Sequence, residues 1–416
     1  MSIRTRVVKR TLVALMLVAG AAAAGRPAAA LTLDEALARA QRSHPSLPPA
    51  TATIDAARVR LAQARRLPAN PVVALEVVRH SGPDDVNIDR GVTVSQEVEI
   101  GGQRGLRILS AEHEVAHAEE LLADRRRTIA AEARRAFAGV IAAERRGALA
   151  REAATLASRL LEIAERRVRA GDAGDIDVQL ARIQAIQAAQ AETLATVERA
   201  RAAARLASAI GADAAEVLVV DPGAEHAAPP TLARDTLVAH ALATRPDLAA
   251  AREERARLEA EAALARRHGR IPNPVFQGIY REELGPEHFA GGAIALPFPI
   301  WNRDEAAEAT LLAAAASAAA DERRLLQEVP RQVEVAALRR DAAASAWARY
   351  EREALPAGDA ARAAVERAYT TGYFGLTDAL AQQDRLLQVR TAAIATWLDL
   401  HEADADLIEA LGGDLP

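Results

Sequence analysis

The sequence predicts a mainly helical chain with a small β part, built as a duplicated unit of long coiled-coil helical hairpins that each carry a β-hairpin. Three observations predict it. First, half of the residues are apolar, yet only 3 Trp, 4 Tyr and 5 Phe are present and much of the remainder is Ala. Such a composition suits long helices packed closely through small side chains better than a thick globular core. Second, segments recur in the same order at a spacing of about 200 residues. "EALARAQRSHPSL" (35–47) resembles "TLVAHALATRPDL" (236–248), "LPANPVVALEV" (67–77) resembles "RIPNPVFQGIY" (270–280), and "RAGDAGDID" (169–177) resembles "TTGYFGLTD" (370–378). Third, Arg104 to Arg169 runs without a proline, long enough for a helix of roughly 100 Å.

The elements follow in order. Arg4, Arg6, Lys9 and Arg10 precede the apolar run "TLVALMLVAGAAAA" and Ala28-Ala29-Ala30, the pattern of a secretory signal peptide over residues 1–30. The first repeat is expected over 31–220, a junction over 221–235, and the second repeat over 236–416. In each repeat a helix of about 30 residues should end at an Asn-Pro, because proline lacks the donor a helix needs. Two strands follow, near 71–80 and 91–100 in the first repeat and near 274–282 and 291–300 in the second. "VTVSQEVEI" (92–100) sets Val92, Val94, Gln96, Val98 and Ile100 on one face and Thr93, Ser95, Glu97 and Glu99 on the other, a period of two. Each long helix then returns at a glycine-containing turn, around Gly171 and Gly372. Pro330 and Pro356 are expected to kink the second long helix.

No stretch after the leader holds 18 consecutive apolar residues, so membrane insertion would have to use strands. Four strands leave two unpaired edges, each costly in lipid. A trimer would close them as twelve strands and wrap the helices into a hollow cylinder. Phe276, Tyr280, Phe289, Phe298 and Trp301 crowd into one short region, as an interfacial girdle requires. The near-balanced net charge of −5 argues against nucleic acid as a partner. The absence of Cys excludes disulfides and thiolate metal sites. No cofactor is expected.

One motif points elsewhere. His113-Glu114-Val115-Ala116-His117 has the H-E-x-x-H spacing, which on a helix places two imidazoles on one face with a general base between them. The continuation "AEELLADRRRTIAAEARRAF" supplies no obvious third ligand. A zinc metalloprotease is therefore a minor alternative, and a solvated helical face is the expected role of this pair.

The leader, the repeated helix, Asn-Pro, hairpin, long-helix and glycine-turn plan, and the Tyr369, Gly372, Asp378 spacing together resemble the TolC family of outer-membrane efflux channels. Within it, "SQEVEIGGQRGLR" (95–107) is similar to the cobalt-zinc-cadmium efflux branch. The resemblance implies a non-enzymatic homotrimer with a 12-stranded barrel in outer-membrane lipid and a periplasmic α-helical tunnel. It implies partners as well, a periplasmic adaptor and a proton-driven inner-membrane RND-type pump. Gly171, Gly174, Gly372, Tyr373 and Gly375 would form the adaptor-docking tips, and Asp172, Asp175, Asp177 and Asp378 would ring the tunnel entrance. Heavy-metal cations are the expected cargo, with organic compounds or a type I secreted polypeptide as alternatives.

Overall fold

The computed structural model describes residues 30–81, 86–213, 219–221, 232–283, 287–371 and 373–413. Residues 1–29 of the expected leader, residues 82–85 and 284–286 between paired strands, most of the expected junction, Gly372 and residues 414–416 lie outside the described residues.

The elements run α1 (Leu33–Ser43), α2 (Leu47–Ala64), β1 (Val72–Ser81), β2 (Val86–Glu97), α3 (Gln103–Arg169), α4 (Asp175–Ile210), α5 (Arg234–Thr244), α6 (Pro246–Arg270), β3 (Val275–Glu283), β4 (Glu287–Ala295), α7 (Glu305–Arg349), α8 (Leu355–Thr370) and α9 (Leu376–Leu411). The helix expected before each Asn-Pro is broken in two, at a proline that disfavours helical backbone in the residue before it. His44 (φ −62°, ψ 131°) and Arg245 (φ −66°, ψ 120°) are extended for this reason. α1 begins at a capping box in which Thr32 and Glu35 bond each other's backbone N–H groups, satisfying two donors a helix start leaves free.

α3 has 67 residues and forms the spine. Its upper half packs against α2 and α6, its lower half against α4, and α9 lies along it. The buried residues along the spine are largely alanine, interrupted by Ile129, Phe137, Val140 and Ile141 near its middle. Small side chains let these long helices approach closely without a wide core. Ion pairs stitch the flanks: Arg58–Glu119 and Arg60–Glu114 join α2 to α3, and Arg199–Glu144 joins α4 to α3.

Both prolines of the second long helix lie within helical backbone. Pro330 lies inside α7 without ending it. Near Pro356 the helix instead widens into a π turn over Tyr350–Ala354, where the Leu355 N–H donates to the Tyr350 carbonyl. Proline at 356 would clash with the carbonyl four residues back, Arg352, and the wider turn contains that residue. α8 then continues with Pro356 in its first turn.

The four strands form one antiparallel sheet in the order β1-β2-β3-β4. The second strand of each hairpin begins and ends earlier than expected. β4 stops at Ala295 because Pro297 and Pro299 follow, and proline cannot donate to a ladder; Val98 and Ile100 likewise fall outside β2.

Candidate functional site: the open sheet and the hairpin tips

The pairing register determines which side chains share a face. Leu75 lies opposite Val92, Val92 opposite Tyr280, and Tyr280 opposite Ala290. That row and its neighbours, with Val73, Val77, Val94, Phe276 and Ile294, make one side of the sheet apolar, and these large side chains are exposed. The other side carries Glu76, Thr93, Ser95, Glu97, Gln277 and Arg281. An exposed apolar surface of this extent, backed by a polar one, is built for contact with something other than water. Among the described residues both outer strands, β1 and β4, keep one unpaired backbone edge.

On the polar side Glu76 and Arg281 form an ion pair at 3.1 Å. The intervening strand offers Gly91, where a Cβ would meet Arg281 Cγ at 3.3 Å. Where strands meet helices, Gln103 is fully buried. It accepts from the Gly101 N–H at 2.7 Å and donates to the Ile271 carbonyl at 2.6 Å, tying the two strand-to-helix junctions together. Phe298, Ile300 and Trp301 stand exposed just beyond β4, Trp301 at 94%.

At the other end of the molecule lie the tips. In the first, Gly171 adopts φ +81°, the left-handed conformation that closes a helix. The Asp172 N–H then bonds the Arg167 carbonyl at 2.9 Å. Gly174, in extended backbone, is the N-cap of α4. Asp175 and Asp177 therefore do not cap α4 through their side chains; they sit in its first turn and complement its dipole. Asp378 has the same place in α9, after Gly375. Asp172, Asp175, Asp378 and Tyr373 are exposed, and Asp177 is half-buried. The second tip packs on the first, with Tyr369, Leu376 and Ala379 against Leu160, Ala164 and Ala181. Burial pushes the Tyr369 phenol up; its hydrogen bond from Arg167 opposes this, and the nearby Asp177 charge adds to it.

Above the tips, α3, α8 and α9 enclose a cavity of about 500 Å³. Its apolar wall includes Leu156, Ile163 and Leu387, and Glu152 at its rim bonds both Arg362 and Arg390.

The H-E-x-x-H motif is absorbed by packing. His113 and His117 are half-buried rather than solvated, because both face α6. His113 Nδ1 lies 2.7 Å from Glu253 Oε2, and His117 Nδ1 lies 2.9 Å from the Ala250 carbonyl. Glu114 points the other way, to Arg60 at 2.6 Å. Among the described residues no group of three or more His, Cys, Asp or Glu is gathered as a metal would require. Close by, burial pushes the Glu120 carboxyl up, reinforced by the charges of Glu253 and Glu119.

Sequence reasoning missed the buried pair Arg245–Asp247. Arg245 is 5% exposed and binds Asp247 through two nitrogens, at 2.9 and 2.6 Å. Burial pushes the Asp247 carboxyl up, but Arg245, Arg127 and the Leu248 N–H together outweigh it and hold the carboxyl below its usual range. The R-P-D spacing was the available signal: extended backbone before Pro246 turns Arg245 back onto the first turn of α6.

Comparisons with known proteins agree with this geometry. Residues 34–212 match the family model described as outer membrane efflux protein. Over 387 residues the chain is 26% identical to the cobalt-zinc-cadmium resistance protein CzcC of Cupriavidus metallidurans, covering 92% of this chain and 90% of that protein. Its fold is similar to the CmeC outer membrane channel of Campylobacter jejuni, with TM-score 0.75 and 14% identity over 92% of this chain and 85% of that one. It is likewise similar to the open state of the MtrE outer membrane channel of Neisseria gonorrhoeae, with TM-score 0.68 and 20% identity over 92% and 89% of the two chains.

Proposed function

We propose that this chain, an outer-membrane efflux channel of the TolC family with a periplasmic helical extension, is the exit duct of a tripartite assembly and passes small organic compounds delivered by an inner-membrane pump. The observation that carries the duct is the four-stranded sheet with one exposed apolar face and two open edges. In a bilayer each unsatisfied backbone group costs several kcal/mol, so the edges must pair. All neighbouring strands are antiparallel, so β4 of one copy can meet β1 of the next in the same sense. Three copies then close twelve strands, an even number within the outer-membrane range. The apolar face turns to lipid, and Phe298 and Trp301 sit where an aromatic girdle belongs.

The helical hairpins extend into the periplasm, and their tips at Gly171, Gly174, Tyr373 and Gly375 would receive the adaptor. Three-fold symmetry would gather Asp172, Asp175, Asp177 and Asp378 into acidic rings at the entrance, which favour cations electrostatically. The duct performs no bond chemistry; energy and choice of cargo come from the pump.

Organic cargo replaces the heavy-metal cargo expected from residues 95–107. Among the described residues no group of three or more His, Cys, Asp or Glu is gathered to hold a metal ion, and one relative named above is described by metals. That relative, CzcC, supports heavy-metal cations as the second reading.

Extraction of the membrane fraction in mild detergent followed by native mass spectrometry tests the duct. A trimer is expected; a soluble monomer carrying one zinc would overturn the channel and reinstate His113, Glu114 and His117 as a site. Cells expressing the chain with its adaptor and pump, compared for accumulation of a fluorescent organic dye and of cobalt, zinc and cadmium, separate the two cargo readings.

A further inference from the structure

At the foot of the sheet, two buried acceptors have no donor. The β2–β3 register continues past the regular strands: the Val98 N–H donates to the Pro274 carbonyl at 3.0 Å, in step with the pairing of Glu97 and Val275. Glu99 is thereby set opposite Asn273, and Glu97, Glu99 and Asn273 share the polar face. The Glu99 side chain is 3% exposed and Asn273 is 9% exposed. Glu99 Oε2 and Asn273 Oδ1 are both buried without a hydrogen-bond partner.

The surrounding donors are already committed. Asn273 Nδ2 donates to Glu97 Oε1 at 2.7 Å. Arg107 donates to Glu99 Oε1 through one terminal nitrogen, while its other two nitrogens bond the Ala64 and Arg66 carbonyls. Exchanging the oxygen and nitrogen of the Asn273 amide would set Oδ1 against the Glu97 carboxylate. Either orientation leaves oxygens in excess of donors, around two carboxylates and one guanidinium. A positive ion resolves both the charge and the unmet acceptors.

We propose that Glu97, Glu99 and the Asn273 amide oxygen form a site for one hard divalent cation at the junction of barrel and tunnel. Two carboxylates and an amide carbonyl are oxygen ligands of the kind Ca²⁺ takes in irregular sets completed by water, whereas Mg²⁺ demands near-octahedral geometry. The ion would join β2 to the segment leading into β3, and so brace the two halves of the chain where the sheet meets the helices. All three ligands belong to one chain, so occupancy does not depend on the trimer.

The test uses the full chain in detergent, stripped with EDTA and titrated with Ca²⁺ by calorimetry, with thermal unfolding in parallel. One Ca²⁺ per chain and a Tm that rises with Ca²⁺ are expected. Glu99→Gln should weaken binding by about tenfold or more, and Asn273→Asp, which puts a carboxylate in place of the amide, should tighten it by about tenfold. The gain in Asn273→Asp is an effect that a damaged fold cannot produce. No uptake by the wild-type chain, or uptake that neither substitution alters, would overturn the site. The native mass of the same sample reports the trimer separately, so loss of one reading is distinguishable from loss of the other.

Discussion

Glu76 and Arg281 lie on strands that do not pair, and their ion pair passes over Gly91 of the strand between them. All three occupy one cross-strand row on the polar side of the sheet. The glycine leaves room for the pair, since a long side chain at 91 would rise between its partners. A Cβ there meets Arg281 Cγ at 3.3 Å and Glu76 Cβ at 3.5 Å, which alanine can meet with a small adjustment. Gly91→Leu is expected to cost about 1–3 kcal/mol through overpacking, and Gly91→Ala under about 1 kcal/mol. Urea unfolding of the purified protein checks the order; equal midpoints for the two variants would contradict it.

The two faces of the sheet should respond oppositely to charge. Leu75→Arg places a cation on the apolar face, at a cost of about 2–4 kcal/mol if the site is near the bilayer midplane. Ser95→Arg places the same charge on the polar face, where water reaches it, and should change folding little. The readout is the yield of heat-modifiable trimer after refolding into lipid vesicles. If both variants refold alike, the apolar face is not the lipid face.

Much of this architecture was legible because its signals are local. Period-two alternation in residues 92–100 revealed a strand, and the proline-free run to Arg169 revealed the spine. The strand ends were not legible, since Val98 and Ile100 continue the alternation and only the β3 partner, running out at Pro274, ends the pairing. The roles of His113 and His117 were hidden for a different reason. Spacing puts them on one face of α3, but whether that face meets water or another helix depends on α6, whose contacting residues Ala250 and Glu253 lie more than 130 residues away in sequence. The same distance hid Glu99 and Asn273, which come from different halves of the chain.

Two carboxyl groups give the stability a pH dependence of opposite signs. The Asp247 carboxyl is held below its usual range, so its contribution is present above the unfolded carboxylate pKa of about 4 and is lost as pH falls through the folded value. Asp247→Asn should therefore reduce stability at pH 7 and narrow the gap to the wild type as the medium is acidified. The Glu120 carboxyl is raised, so the native state is penalised as pH rises above the unfolded value of about 4.3. Glu120→Gln should raise Tm at pH 7, and the gain should vanish near pH 4. Melts at pH 7 and about pH 4 test Glu120, and melts carried on to about pH 2 test Asp247; a Glu120→Gln gain that persisted in acid would show that its origin is not ionisation.

The H-E-x-x-H motif yields a prediction about energetics. Glu114 serves as the ion-pair partner of Arg60 between α3 and α2. Arg60 is about half exposed, so the pair is of the kind that contributes roughly 0–1 kcal/mol. Glu114→Ala should lower stability by no more than about that amount and leave channel conductance in planar bilayers unchanged. A zinc-dependent peptidase activity that disappears in this variant would refute the assignment.

The first tip separates folding from docking, because its two glycines have different backbones. Gly171 has φ +81° with open space around its missing Cβ. Valine there is strained by conformation alone, at about 1–2 kcal/mol. Gly174 has φ −88° and ψ 156°, which any residue adopts, and a Cβ there meets only Ile176 Cγ2 at 3.9 Å. Gly171→Val should thus lower both Tm and efflux in cells carrying the adaptor and pump. Gly174→Val should leave Tm unchanged and still impair efflux, because the added side chain stands on the surface a partner would approach. If Gly174→Val cells exported as well as wild type at equal protein levels, the tip would not be the docking surface, and the exposed sides of α4 and α8 would be the next place to substitute.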